Sequence, residues 1–125
     1  LYSEGVLAGR ISLNRFVDLT ATQPARAYGL YPRKGTLAIG SDADLVIWEE
    51  REFTLANEQL HHAVDYTPYA GMTLRAWPAM TLLRGQIVWD GARFAGTPGQ
   101  GQFLPRGLPN VAPPSARKGT QPAWR

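Results

Sequence analysis

The chain contains no cysteine, which excludes a disulfide-stapled scaffold and any thiolate metal site and is compatible with a reducing cytoplasm. No apolar run approaches the roughly 20 residues that cross a bilayer. The N-terminal stretch lacks the basic-then-apolar pattern of a secretory signal. The expectation is therefore a cytoplasmic protein without a membrane partner. Histidine is scarce as well: the chain's 2 histidines are the neighbours His61 and His62. No His-x-His pair is present. The serines Ser3, Ser12 and Ser41 sit in no Gly-x-Ser-x-Gly elbow, and the glycines form no phosphate-cradling pattern.

Acidic residues run out part-way along the chain. Residues 1–90 carry eight Lys/Arg against ten Asp/Glu, whereas beyond Asp90 there is no acid and five bases: Arg93, Arg106, Arg117, Lys118 and Arg125. The formal net charge of +3 is thus a property of the tail. Five bases over that length, without interleaved aromatics on a sheet, do not make a nucleic-acid surface. A solvated or subunit-docking tail is the expectation. With 125 residues and 44% apolar composition, the chain has the size of one small domain with a modest core. Its first residue is Leu1 rather than Met, which predicts a start inside a longer reading frame or after a processing point.

What is present is organised in three parts. Ser12 is placed to cap a helix, followed by Leu13, Phe16, Val17 and Thr20 at i, i+3, i+4 and i+7. Pro24 predicts a break at Thr22-Gln23 and a short second helix to Tyr28, closed by Gly29 with Leu30 packing back. From Arg33 the pattern turns extended. A short strand is expected over Thr36–Ile39 between Gly35 and Gly40, then a turn at Gly40-Ser41-Asp42. Leu45–Trp48 follows as a strand buried on both faces. Further strands are expected around Phe53–Leu55 and in a hairpin of Met80–Leu83 with Gln86–Trp89 turning at Arg84-Gly85. Asp90-Gly91 is a second turn, and a last short strand starts near Arg93-Phe94. Residues 96–125 hold six Pro and five Gly, too many for a core of their own. Two helices and about five strands cannot close a barrel; the strands look like part of a sandwich.

Candidate chemistry is sparse. His61 and His62 would point to opposite faces of a strand or about 100° apart on a helix, so they are poorly placed to share a metal and read as interface or turn residues. Asp42 and Asp44 could act as a carboxylate pair, but beside Gly40-Ser41 they read as turn residues bonding local backbone. Asp65-Tyr66-Thr67-Pro68-Tyr69-Ala70-Gly71-Met72 is dense in functional residue types, yet it reads as a rigid loop anchored by its rings. No catalytic constellation is visible, and no residue is assigned as catalytic, cofactor-binding or metal-ligating.

Three stretches carry a family resemblance. Gly9–Val17 with Thr22–Arg26 and Gly29–Gly35 resembles the end of the barrel in cyclic amidohydrolases. Gly40-Ser41-Asp42-Ala43-Asp44-Leu45-Val46-Ile47 resembles a stretch shared widely across that superfamily. His61-His62-Ala63-Val64-Asp65-Tyr66-Thr67-Pro68-Tyr69-Ala70-Gly71-Met72, together with Arg84-Gly85 and Gly101–Arg106, is similar to the bacterial dihydropyrimidinase and D-hydantoinase branch. The likeness covers about residues 1–107.

The resemblance implies an α/β parent: a TIM-barrel metal-dependent hydrolase with a composite β-sandwich. This chain would supply terminal barrel helices (1–33), a mainly β portion of the sandwich (34–95) and a docking tail (96–125). It implies two divalent ions, usually zinc, held by an early His-x-His pair, a carboxylated lysine, two more histidines and an aspartate, all upstream of the matched segment. The implied reaction is hydrolytic opening of a dihydropyrimidine or hydantoin ring by a metal-bridged hydroxide. The implied partners are the remaining N-terminal part of the parent, a small cyclic amide, and copies of the chain in a dimer or tetramer, with Phe103, Leu104 and Arg106 as candidate subunit-interface residues. The chain alone is expected to be inactive. The family also contains non-catalytic neuronal proteins with degraded metal sites. A second expectation is accordingly a non-enzymatic assembly module that folds unaided and binds a protein partner.

Overall fold

Ser12 opens the helical part through its hydroxyl. Its backbone is extended (φ −73°, ψ 160°) and its Oγ accepts the Arg15 N–H at 3.1 Å, closing one of the free donors of a first turn. The structure is a computed structural model that describes residues 1–110; the expectations on the tail beyond that point lie outside the described residues. Helix α1 (Leu13–Val17) passes through a wide π-type turn, Asp18–Thr22, into α2 (Gln23–Ala27). The break predicted at Thr22-Gln23 does not occur: both residues keep right-handed helical angles. The wide turn just before Pro24 accommodates it, because loosening the i→i−4 ladder relieves both the missing donor and the ring's clash with the preceding turn. At the far end Gly29 takes φ +68°. The Leu30 N–H reaches Ala25 O at 2.8 Å and the Gly29 N–H reaches Arg26 O at 3.2 Å, the paired bonds of a Schellman cap.

After the helices come strands. β1 (Leu45–Glu49), β4 (Trp77–Leu83) and β5 (Gln86–Trp89) form an antiparallel sheet in the order β1-β4-β5. A two-residue ribbon pairs β2 (Phe53–Thr54), where a strand is expected, with β3 (Thr73–Leu74), where none is. The β4–β5 hairpin turns on Arg84 (φ 48°) and Gly85 (φ 79°), the two left-handed positions of a type I′ turn. β4 begins at Trp77, earlier than the predicted Met80, and its register against β1 slips between Ile47 and Trp48, where Pro78 faces Trp48. A proline with no N–H is tolerated at such a bulge. Phe94 contributes a single bridge to Trp89 rather than a strand.

Two predictions about burial fail, for one reason. Thr36–Ile39 is not a strand: it has no strand neighbour among the described residues, and Leu37 and Ile39 stand 82% and 108% exposed. β1 is not buried on both faces either; Val46, Ile47 and Trp48 are all more than a third exposed. An unbroken apolar run marks a doubly covered strand only where layers exist to cover it. Within the described residues β1 is a sheet edge with one lateral neighbour, β4.

The core that does form joins helix to sheet. Phe16, 5% exposed, stands edge-on to Tyr2 (5.2 Å, 87°) and to Trp48 (5.5 Å, 82°), while Tyr2 stacks on Trp48 at 5.3 Å. Tyr2 belongs to a wide helical turn, Tyr2–Leu7, that the sequence reading missed. The same turn carries buried Ser3, whose Oγ accepts the Arg75 N–H at 2.9 Å. Leu55, just after β2, and Ala76, just before β4, are buried as well.

Candidate functional site

The densest polar arrangement is the corner between the helix pair and the sheet. The Asp42 N–H donates to Arg33 O at 2.9 Å and Ser41 Oγ donates to Pro32 O at 2.8 Å, which folds residues 32–42 into a closed turn. Lys34 Nζ lies 2.8 Å from Asp42 Oδ2 and also pairs with Asp44 Oδ2. Arg33 Nε adds a bond to Asp42 at 3.0 Å. The second oxygen of Asp44 accepts the Arg84 N–H at 2.8 Å, and the Gly85 N–H donates to Ala43 O at 2.9 Å. The corner is thereby bolted to the β4–β5 turn. Gly35, at φ +81°, lets this turn lie against α2; a Cβ there would meet the Ala25 Cβ at 2.5 Å and Ala21 O at 2.8 Å.

Electrostatics follow from the pairing. The Lys34 ammonium, with Arg33 adding to it, holds the Asp42 carboxyl below its usual range against a smaller opposing effect of burial. Burial pushes the Lys34 ammonium down, but its bonds to Asp42 and Asp44 outweigh that and leave its pKa raised. Every charge in the corner is neutralised by a neighbour. The Asp42/Asp44 pair is thus the turn element read from the sequence; it offers no free base or nucleophile.

Beside the corner opens a groove of about 530 Å³ between the helix pair and residues 34–45. Its walls are mostly apolar, with Val17, Ala21, Ala25, Leu30, Leu37 and Leu45, and the ion-paired Lys34 is among its lining residues. A smaller hollow of about 280 Å³ lies between Trp77 and Trp89, lined also by Arg51, Glu58 and His61. His61 stands against the Trp89 ring at 4.8 Å, a packing contact rather than a ligand position. Glu58 and His61 have Glu-x-x-His spacing, overlooked in the sequence, but Asn57–Gln59 is a single 3₁₀ turn rather than the longer helix that spacing serves. Among the described residues no group of three or more His, Cys, Asp or Glu side chains is arranged to hold a metal ion.

The remaining candidates do not converge. Asp65–Met72 is a loop held by the Gly71 N–H on Leu55 O at 2.9 Å, with the Tyr69 N–H on Thr67 Oγ1 at 3.3 Å. Its Tyr66 and Tyr69 rings are exposed, so they do not anchor it as expected; no described surface receives them. Phe103 and Arg106 are exposed and Leu104 half-buried. Ser12 caps α1, Ser3 accepts the Arg75 N–H and Ser41 serves the corner.

The charged groups of the corner are thus paired with one another, and its link to the sheet runs through the Arg84 and Gly85 N–H bonds to Asp44 and Ala43. Residues 7–89 match the model of the amidohydrolase family, well over half of the chain, and the chain belongs to that family. Its relatives there include hydantoinases. It is 47% identical over 107 residues to D-hydantoinase of Geobacillus stearothermophilus, covering 85% of this chain and 23% of that protein. To D-hydantoinase of Ralstonia pickettii it is 45% identical over 104 residues, covering 82% and 23%. The crystal structure of dihydropyrimidinase from Brevibacillus agri superposes with a TM-score of 0.84 at 41% identity, over 90% of this chain and 24% of that one. The chain spans about a quarter of the length of these relatives.

Proposed function

We propose that this chain is the C-terminal scaffolding segment of a metal-dependent hydrolase that opens cyclic amides by cleaving a ring C–N bond of a dihydropyrimidine or hydantoin. The observation that carries this reading is the 45–47% identity to D-hydantoinases over more than four fifths of the chain. In this reading residues 1–33 are the last helices of a TIM barrel, 34–95 a portion of a composite β-sandwich, and 96–125 a tail docking on a neighbouring subunit. Phe103, Leu104 and Arg106 are the proposed contacts of a homodimer or homotetramer. Exposed Phe103, at 90%, supports an anchor role, since exposed aromatics are favoured interface residues. The two divalent ions, zinc by the family pattern, would be held by the remaining N-terminal part, because the described residues offer no donor set that fits them. No helix of the described residues is long and apolar enough to cross a membrane; a cytoplasmic site is proposed on the absence of cysteine.

The test is a splice. Residues 1–110 replace the matching stretch of the G. stearothermophilus D-hydantoinase, and hydantoin ring opening is measured beside the 125-residue chain. The spliced enzyme is expected to turn over within about tenfold of its parent, and the chain on its own not at all. A folded but inactive splice, or zinc-dependent turnover by the chain itself, overturns the reading.

A further inference from the structure

Residues 97–110 do not trail away from the domain. They form a strap tied down at both ends. At one end Arg84 Nη2 donates to Gln100 O at 2.6 Å and Gln100 Nε2 donates to Gln86 Oε1 at 2.9 Å, fixing the strap to the β4–β5 turn. At the other end the Gly107 N–H donates to Gly29 O at 2.8 Å and the Asn110 N–H donates to Arg26 O at 2.9 Å. The second knot sits on the C-terminal cap of α2, between Tyr28 and Leu30, two wall residues of the apolar groove. Its closeness admits no side chain: a Cβ on Gly29 would lie 2.1 Å from Gly107 O and 2.7 Å from Gly107 C.

We infer that the strap is a clasp that sets the Tyr28–Leu30 wall of the groove, and that the groove is the seat for the remaining part of a family-length protein. This rests on the reading of the chain as a segment of a hydantoinase-like hydrolase. The occupant is argued from length: relatives 45–47% identical across this region are about four times as long. An apolar groove beside uncovered Leu37 and Ile39 is a surface that a longer chain has reason to fill. Preorganising one wall in cis removes ordering cost from that docking. Gly29 therefore does two jobs at once: its left-handed φ caps the helix, and its missing side chain admits the strap.

The jobs separate with matched glycines. Gly9 has φ +71° with nothing within 4 Å of an added Cβ, so Gly9→Ala carries the same backbone strain without touching the strap; Gly107→Ala adds a Cβ at an ordinary 3.5 Å from Gly29 O. The spliced enzyme above is made with each change and followed by hydrogen exchange at single-residue resolution. With Gly29→Ala the Gly107 and Asn110 amides are expected to exchange at least tenfold faster, and the Lys34 amide, bonded to Leu30 O at 3.0 Å beside the groove, to lose protection with them. Gly9→Ala and Gly107→Ala leave all three protected. If Gly29→Ala frees 107 and 110 but not 34, or if Gly9→Ala frees all three alike, the clasp does not set the groove and the inference falls. Ring opening by the unmodified splice reads the underlying assignment separately, so its loss is not confused with loss of the clasp.

Discussion

The helix–turn region up to Asp44 and the strand region after it answer the same problem in opposite ways. The first closes on itself: a serine cap, a Schellman cap and a corner in which Arg33, Lys34, Asp42 and Asp44 satisfy one another. The second, together with Leu37 and Ile39 of the first, leaves apolar residues unanswered: Val46, Ile47 and Ile87 are about half exposed on strands that pair only along their edges, and Leu37 and Ile39 are almost wholly exposed. Polar groups can be satisfied by neighbours a few residues away, whereas apolar surface is buried only by another layer. The contrast separates what a segment completes locally from what it leaves for a larger assembly.

The largest expected effect tests the joint between the two regions. Phe16→Ala removes the ring that packs on both Tyr2 and Trp48, and urea unfolding should report a loss of about 3–5 kcal/mol; a loss under about 1 kcal/mol would mean helix and sheet are not coupled through this cluster. Next, Asp44→Ala strips the Lys34 pair and the acceptor for the Arg84 N–H, and should cost about 1–3 kcal/mol. It should also speed exchange of the Arg84 amide. An unchanged amide would show that the corner is not bolted to the hairpin.

The pH dependence of the corner has two limbs. Asp42 has a lowered pKa when folded, owing first to Lys34 and then to Arg33; its stabilisation is full above the ordinary carboxylate range and is lost as the pH falls through the folded value, below about pH 4. Lys34 has a raised pKa when folded, its carboxylate partners outweighing burial; its contribution is full below the ordinary lysine value and disappears as the pH rises beyond about 10.4. Asp42→Asn should flatten the acid limb measured by thermal midpoint, and an unflattened limb would place the acid sensitivity elsewhere. The smallest effect sharpens the contrast most. Ile39→Ser at a fully exposed position should change the stability of the 125-residue chain by no more than about 0.5 kcal/mol. In the family-length splice it should lower the melting temperature measurably. Equal effects in both would mean this face stays uncovered.

Local chemistry was legible in advance. Ser12, Gly29, the Arg84-Gly85 turn and the Asp42 turn were all found where their side chains or backbone freedom demanded, because caps and turns depend on a few adjacent residues. The candidate site was legible as a turn but not as a corner: Asp44 meets the Arg84 N–H from 40 residues away, and no spacing rule announces that. The Pro24 break was misplaced because a wide turn upstream absorbed the proline. The Phe53–Thr54 ribbon found a partner, Thr73–Leu74, that has no strand pattern of its own.

What the sequence by itself determined, then, was the helix pair with its caps, the β4–β5 hairpin with its turn, and the family likeness, all of which reside in residue identity and short-range spacing. Only the tertiary structure decided that Leu45–Trp48 lies at a sheet edge, that Thr36–Ile39 forms no strand, that Lys34 reads two carboxylates, and that the strap returns to Gly29. Burial, ladder pairing and close backbone approach are relations between distant parts of the chain, and periodicity along one segment carries no information about which surface arrives to meet it.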